Sequence, residues 1–298
     1  MKVLIAGGTG FLGRSLTKSL LADRHDVFVL TRRTPKHPNQ FQWDGATAVG
    51  WGYLVNEVDA VVHLTGFGLE HWPWTKHRKQ KFIDSRVIPG RALVAAIQSA
   101  SRRPRVFVQA SGINYYGLHG PGIADETTPP ADDFLAQIPV KSESATQPVE
   151  ELSVRHVITR NAVVLARNGG LLRLLALPTR LFFGGKFGDG KQAMPWIHTT
   201  DHTNAVRFLL ENENASGPYN LIAPVPVSNA EFMRTMAKTL HRPYWFHVPE
   251  FLLRIVLGEM RFLLTKGRYA QPKRLIELGF VFRFSNLDDA MEDLLSRK

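Results

Sequence analysis

Short, nearly unbroken apolar runs recur along the chain, separated by longer stretches with the three-to-four-residue spacing of amphipathic helices. Residues 1–6, 26–30, 39–43, 59–64, 106–110, 154–159 and 219–222 read as strands. A strand covered on both faces is apolar throughout rather than alternating, and such strands belong to parallel sheets. Between them, residues 14–21, 75–100, 200–211 and 229–240 read as helices, with Thr75 and Ser228 as caps and Pro89 marking a kink or a second start. The stretch 134–152 reads as a disturbed helix, interrupted by Pro139 and Pro148. Alternation of strand and helix predicts an α/β fold, a doubly wound parallel sheet. At 298 residues there is room for one large α/β domain, or for a nucleotide domain with a smaller one appended.

The join between the first strand and first helix carries the first chemistry. Gly7-x-x-Gly10-x-x-Gly13 lets the backbone turn sharply and approach a phosphate with no Cβ in the way. The helix that follows aims its N-terminal amides and the positive end of its dipole at that phosphate. Strand, glycines, helix and the second strand at 26–30 fit one dinucleotide-binding βαβ unit, with Thr9, Phe11 and Leu12 beside the ligand. A glycine-rich turn with no ligand is the competing reading. After the second strand, Thr31-Arg32-Arg33 stands where an acidic residue would hold the adenosine ribose. Arginine there suits a 2′-phosphate, so NADP(H) is expected over NAD(H), unless these are simply exposed arginines.

Strand carboxyl ends are where an open α/β sheet holds its ligand, which nominates Leu64, Thr65 and Gly66, and likewise Ala110 and Ser111. His63, inside its strand, reads as a core histidine satisfied by a hydrogen bond. Arg86 either reaches cofactor phosphate or substrate from the sheet-facing side of its helix, or faces solvent.

Composition removes several classes of function. There is no cysteine, hence no disulfide, thiolate metal site or cysteine nucleophile, and no metal is expected. The net charge of +11 raises the question of nucleic acid, but the cations are dispersed, with Arg102-Arg103-Pro104-Arg105 the one tight cluster, and no reader motif accompanies them. No nucleic-acid partner is expected; an anionic cofactor or substrate explains the balance better. The first apolar run is too short for a signal peptide. Residues 248–264 carry Glu250, Arg254, Glu259 and Arg261, too many charges for a spanning helix. An amphipathic helix packed on the domain is expected there, with a helix lying on a membrane surface as the alternative. The expectation is a cytoplasmic protein with no membrane partner.

The loop Ser111-x-x-x-Tyr115-Tyr116-Gly117, taken with the glycine loop and the strand running into Gly66, resembles the extended, atypical short-chain dehydrogenase/reductases. Trp74-Thr75, Ser85-Arg86, Asp125-Glu126, Gly169-Gly170, Gly184-Gly185, Pro195-Trp196-Ile197-His198, Asp201, Asn229-Ala230-Glu231-Phe232 and Arg242-Pro243 follow in the order of one subfamily, the NAD-dependent epimerase/dehydratase-like proteins. The similarity runs essentially end to end. It implies a Rossmann-like domain over 1–165, with sheet elements also from about 196–225, and a smaller α+β substrate lobe mainly over 166–298. It also implies a small-molecule substrate in the cleft between them and a nicotinamide near Val164, where Asn161 and Ala162 replace the usual threonine and glycine.

Enzymes of this type pass protons through a Tyr-x-x-x-Lys pair on one helix. Here the pair is missing: Pro139 takes the tyrosine position and Glu143 the lysine position. The match Tyr269/Lys273 contains Pro272 and is treated as chance. Candidates to replace the pair are Ser111 and Tyr116, with Tyr115 beside them and Lys141 approaching from the broken helix. His198 with Asp201 is either an acid/base pair or the cap of the next helix. Residues 184–191 either cradle an anionic substrate or form a linking hairpin. Monomer and homodimer stay open, because the helix that often forms the dimer in relatives departs from their pattern at Ser142. Three readings result: an NADP(H)-dependent oxidoreductase or epimerase, an NADP(H)-binding regulator without catalysis, and a nucleic-acid or membrane-surface protein suggested by charge alone.

Overall fold

The computed structural model describes residues 1–167 and 169–296. Its strands and helices alternate as the apolar pattern requires: β1 Lys2–Ala6, α1 Phe11–Ala22, β2 Asp26–Thr31, β3 Gln40–Gln42, β4 Ala60–His63, α2 Lys76–Gln98, β5 Val106–Gly112, α3 Phe134–Thr146 and β6 Arg155–Asn161. Then come β7 Val163–Leu165, α4 Gly170–Arg180, β8 Gly185–Phe187, β9 Trp196–His198, α5 Thr199–Glu211 and β10 Gly217–Leu221. The chain closes with α6 Asn229–Thr239, β11 Phe246–Val248, α7 Glu250–Leu257, α8 Phe262–Thr265, α9 Lys273–Glu277 and α10 Leu287–Leu295.

Seven strands form one parallel, Rossmann-like sheet in the order β10-β6-β5-β4-β1-β2-β3. The order reverses at β1, which pairs with β2 on one side (Val3 with Val27) and β4 on the other (Ile5 with Val62). That reversal opens a crevice at the strand carboxyl ends. The unbroken apolar runs have a direct cause in this sheet. Val3 and Ile5 of β1, with Val62 and Val108, enter a core shared with Leu16 and Leu20 of α1 and Leu209 of α5. Leu4 and Ala6 enter the opposite core with Val61, Phe107 and Leu93 of α2. Successive side chains serve opposite faces, and both faces are covered. Truncating one such buried leucine costs about 2–5 kcal/mol.

The rest of the chain builds the smaller lobe. Its core gathers Leu172, Trp196, Phe232, Met236, Met291 and Leu294. Two small parallel sheets, β7 with β9 and β8 with β11, tie it together, while β10 returns to the edge of the main sheet beside β6.

Three expectations need correction. Two of the prolines do not break their helices: α2 runs through Pro89 and α3 through Pro139, whereas α3 does end before Pro148, which lies in a 3-10 turn at Gln147–Leu152. Residues 248–264 are not one packed amphipathic helix but α7, a 3-10 turn at Gly258–Arg261 and α8. Only Leu253 of α7 is buried, while Phe251, Leu252, Ile255 and Val256 are exposed. Residues 184–191 are not a linking hairpin: β8 pairs in parallel with the distant β11 and is followed by a turn with Gly188 and Gly190 at positive φ. Among the described residues, no helix is long and apolar enough to cross a membrane.

Candidate active site

The glycine loop is shaped by contacts that no side chain would fit. Gly7 has φ +90°, and a Cβ there would lie 2.9 Å from the carbonyl carbon of Leu64. One on Gly13 would lie 2.2 Å from the carbonyl oxygen of Gly7. Close packing of β1, α1 and the end of β4 therefore requires glycine at both. Gly10 caps α1 with no side-chain bond, so the first-turn amides of Phe11 and Leu12 are not closed off by a side chain. Thr9 is exposed at the loop tip, its carbonyl accepting from Arg14 at 3.2 Å. The ring of Phe11 lies against Gly169, where a Cβ would approach it to 2.8 Å, so the glycine loop meets the start of the smaller lobe.

Around this loop stand most of the sequence candidates. Thr31 is buried at the end of β2, with Arg32 and Arg33 exposed just beyond. Thr65 and Gly66 follow β4. Arg86 extends from α2 so that a Cβ on Gly66 would touch its guanidinium at 3.0 Å. Its Nη1 donates to the carbonyls of Phe82 (2.7 Å) and Phe67 (3.1 Å). Burial pushes the pKa of Arg86 down to about 10, with Glu70 acting against the shift, so it remains a cation at neutral pH. Arg86 thus faces the site rather than solvent.

The helical prolines help to position these groups. A proline has no N–H, so the carbonyl four residues earlier loses its helical partner. For Pro89 that carbonyl is Ser85's, and Thr65 donates its hydroxyl there at 3.3 Å. For Pro139 it is Leu135's, and the side-chain amide of Asn114 donates to it. Each opened carbonyl therefore anchors a loop at a strand carboxyl end. His63 is buried beside Thr65, its Nε2 3.1 Å from the carbonyl of Arg86 and its Nδ1 3.2 Å from the Thr65 hydroxyl. Burial lowers its pKa to about 4, so it is a neutral core histidine. Ser142 owes its place to the same helix: it is buried, and its hydroxyl and carbonyl oxygens accept from Gln109 of β5, each at 2.8 Å.

The reactive-looking centre is Ser111. Its hydroxyl donates to Glu143 Oε1 at 2.6 Å, and Arg160 at the end of β6 grips both oxygens of Glu143, Nε at 3.1 Å and Nη2 at 2.9 Å. Both charged side chains are largely buried, 5% exposed for Arg160 and 11% for Glu143. Burial disfavours the Arg160 charge, but Glu143 and the oxygen of Tyr116 more than offset this and raise its pKa above the usual value. Arg160 also stacks on Tyr115, 3.4 Å from the ring centre. Glu143 and Arg160 were not singled out as site residues from sequence. The signal available was a charge at the end of each of two otherwise buried surfaces, each needing an opposite partner.

Other candidates are placed elsewhere or differently. Tyr116 is fully buried; its hydroxyl donates to Asn220 at 2.8 Å and accepts from Arg160 at 3.0 Å. Burial pushes its pKa up to about 12, and its two hydrogen bonds make it a brace between β6 and β10. Lys141 is exposed on the outer side of α3, lining a hollow with Gln80 and Asp84, and does not approach Ser111. His198 caps α5, its Nδ1 accepting from the Thr200 amide at 3.1 Å, and stacks on Phe284. Its Nε2 lies 3.3 Å from Asp293 without hydrogen-bond geometry. Asp201 accepts from the amides of Arg283 and Phe284, so the two do not form an acid/base pair. Val164 packs its side chain into the core with Ile197 and Val206. Tyr269 donates to the Lys191 carbonyl and Lys273 pairs with Asp125, which separates that chance match.

The fold agrees with comparisons to known proteins. A family model described as "NAD dependent epimerase/dehydratase family" matches residues 3–221, and one described as "Domain of unknown function (DUF1731)" matches residues 248–294. The chain is 35% identical over 301 residues to epimerase family protein YfhF of Bacillus subtilis, covering 99% of this chain and 98% of that one. Its structure is similar to that of human epimerase family protein SDR39U1, crystallised with NADPH, at 32% identity and a TM-score of 0.92 with 99% of each chain covered. It is similar as well to a nucleoside-diphosphate sugar epimerase of Corynebacterium glutamicum, at 30% identity and a TM-score of 0.81, covering 99% of this chain and 58% of that one.

Proposed function

The chain belongs to the NAD-dependent epimerase/dehydratase family, and from that premise we propose that it binds NADP(H) and acts as an oxidoreductase or epimerase on a small molecule held between its lobes. The residues fit the cofactor. The Cβ-free cradle of Gly7, Gly10 and Gly13 with the uncapped start of α1 suits a pyrophosphate. Arg32 and Arg33, exposed beyond β2, suit a 2′-phosphate, and the NADPH of the human relative supports that choice over NAD. Arg86 supplies a further cation, and Ala110 and Ser111 border the nicotinamide end. When bound, the nicotinamide gives or takes a hydride.

The observation that carries the catalytic reading is the 2.6 Å bond from Ser111 to Glu143. A substrate hydroxyl beside Ser111 passes its proton to the serine oxygen as the serine proton moves to Glu143 Oε1. Carbonyl reduction runs the same relay backwards, from a Glu143 that has first taken up a proton from solvent. Arg160 holds the Glu143 side chain against Ser111 through bonds to both its oxygens. The arrangement replaces a tyrosine-lysine pair with a serine-carboxylate pair. One observation favours a second reading, an NADP(H)-binding protein without turnover: the position of the usual tyrosine is a buried proline, Pro139.

Purified protein with NADPH and a panel of aldehydes, ketones and nucleotide sugars separates the two. Turnover that is lost in Ser111→Ala and Glu143→Gln, with NADPH binding kept, supports the relay. Tight NADPH binding with no turnover across the panel supports the second reading, and weak binding of both NADPH and NADH would sink both.

A further inference from the structure

The smaller lobe presents a continuous apolar face. Leu177 and Leu181, at the end of α4, lead into Phe182 and Phe183, and all four are exposed. Trp245 and Phe246 join them from the start of β11: the Trp245 indole donates to the Phe182 carbonyl at 2.7 Å, and Phe183 and Phe246 meet edge to face at 5.8 Å. Trp245 nevertheless stays 75% exposed. The chain continues from β11 into α7, whose outer face is the exposed apolar row described above. An apolar surface of this extent marks an interaction site.

The charges around it say what it meets. Residues 170–188 and 241–257 carry Arg173, Arg180, Lys186, Arg242 and Arg254, against Glu250 alone. Glu250 is itself paired with Arg261 at 3.5 Å. Arg242 lies over the Phe182 ring at 4.8 Å, which sets a cation at the edge of the aromatic cluster. Aromatic and leucine side chains on segments rich in arginine, whose one carboxylate is already paired, fit an anionic lipid surface, where the apolar groups enter the headgroup layer and the cations stay at its boundary. A second copy on the same face through a two-fold axis would set these cations against their own images. We propose that this face docks the protein on an anionic bilayer.

The test is co-sedimentation of the full chain with vesicles of phosphatidylcholine containing phosphatidylglycerol, and with vesicles of phosphatidylcholine alone. Binding is expected to the first and not the second, with Trp245 emission quenched by brominated lipid and the quenching lost in Trp245→Phe. Leu177→Gln with Phe183→Ser should weaken binding about tenfold or more, and Arg173→Gln with Arg180→Gln should reduce its salt dependence. Unchanged melting transitions show that the variants fold; if one does not fold, the Trp245→Phe quenching comparison decides. No binding to anionic vesicles would overturn the proposal. So would a stable dimer in sedimentation that Leu177→Gln with Phe183→Ser dissolves, since the face would then belong to a second copy.

Discussion

Arg160 Nη2 lies 2.9 Å from Glu143 Oε2, an ion pair that joins the end of β6 to α3. It is held from two sides, by Ser111 on the carboxylate and by Tyr115 under the guanidinium. A charge pair so enclosed is unforgiving of losing one member.

Glu143→Ala should therefore destabilise the protein by about 3–5 kcal/mol, measured by urea unfolding, because Arg160 is left as an uncompensated buried charge. Replacing both, Glu143→Ala with Arg160→Met, should recover much of that loss relative to Glu143→Ala alone. If the double variant is as unstable as the sum of the singles, the two side chains are not acting as a pair.

Arg32→Ala should weaken NADPH about tenfold, or about 1.4 kcal/mol, while leaving NADH nearly unchanged. Calorimetric titration of both cofactors measures this directly. Equal losses for the two would remove Arg32 from the 2′-phosphate.

Acid stability should follow the buried histidines. Burial lowers both His63 and His202 to about 4, from the ordinary value of 6.5. Between those values the unfolded chain binds protons that the folded chain refuses, so stability is full above pH 6.5 and falls as pH drops toward about 4. Each group contributes about 3 kcal/mol to that fall. Urea midpoints across this window should drop, and His63→Gln should flatten the slope. An unaltered slope would place the acid sensitivity in other groups.

Asn114→Ala should cost about 1–2 kcal/mol, because the Leu135 carbonyl opened by Pro139 is left without a donor. In a Pro139→Ala background the same change should cost less, since the new amide serves that carbonyl. A double-mutant cycle with no coupling would show that the two features are independent.

The cofactor loop was legible because its constraint is local. Gly7, Gly10 and Gly13 lie within seven residues of chain, and the contacts that exclude a Cβ at Gly10 and Gly13 are made with Gly7 and Gly8, although those at Gly7 come from Leu64 and Thr65. The cluster of Ser111, Glu143 and Arg160 was not legible because its members come from β5, α3 and β6, and their signs cancel only once the sheet assembles. For His198 the sequence left an acid/base pair and a helix cap open, and the cap is what the structure has. Tyr116 has a residue type of catalysis but is spent on a buried brace, a use that leaves no mark in the spacing. The apolar residues of α7 looked like core because periodicity reports which side chains share a face, not whether another surface covers that face.

Pro139 links distant parts of the site. Any residue that brings an N–H to this buried position would compete with the Asn114 amide for the Leu135 carbonyl. The same segment carries Tyr115, so the stacking under Arg160 is tied to a carbonyl that only a proline four residues later leaves open.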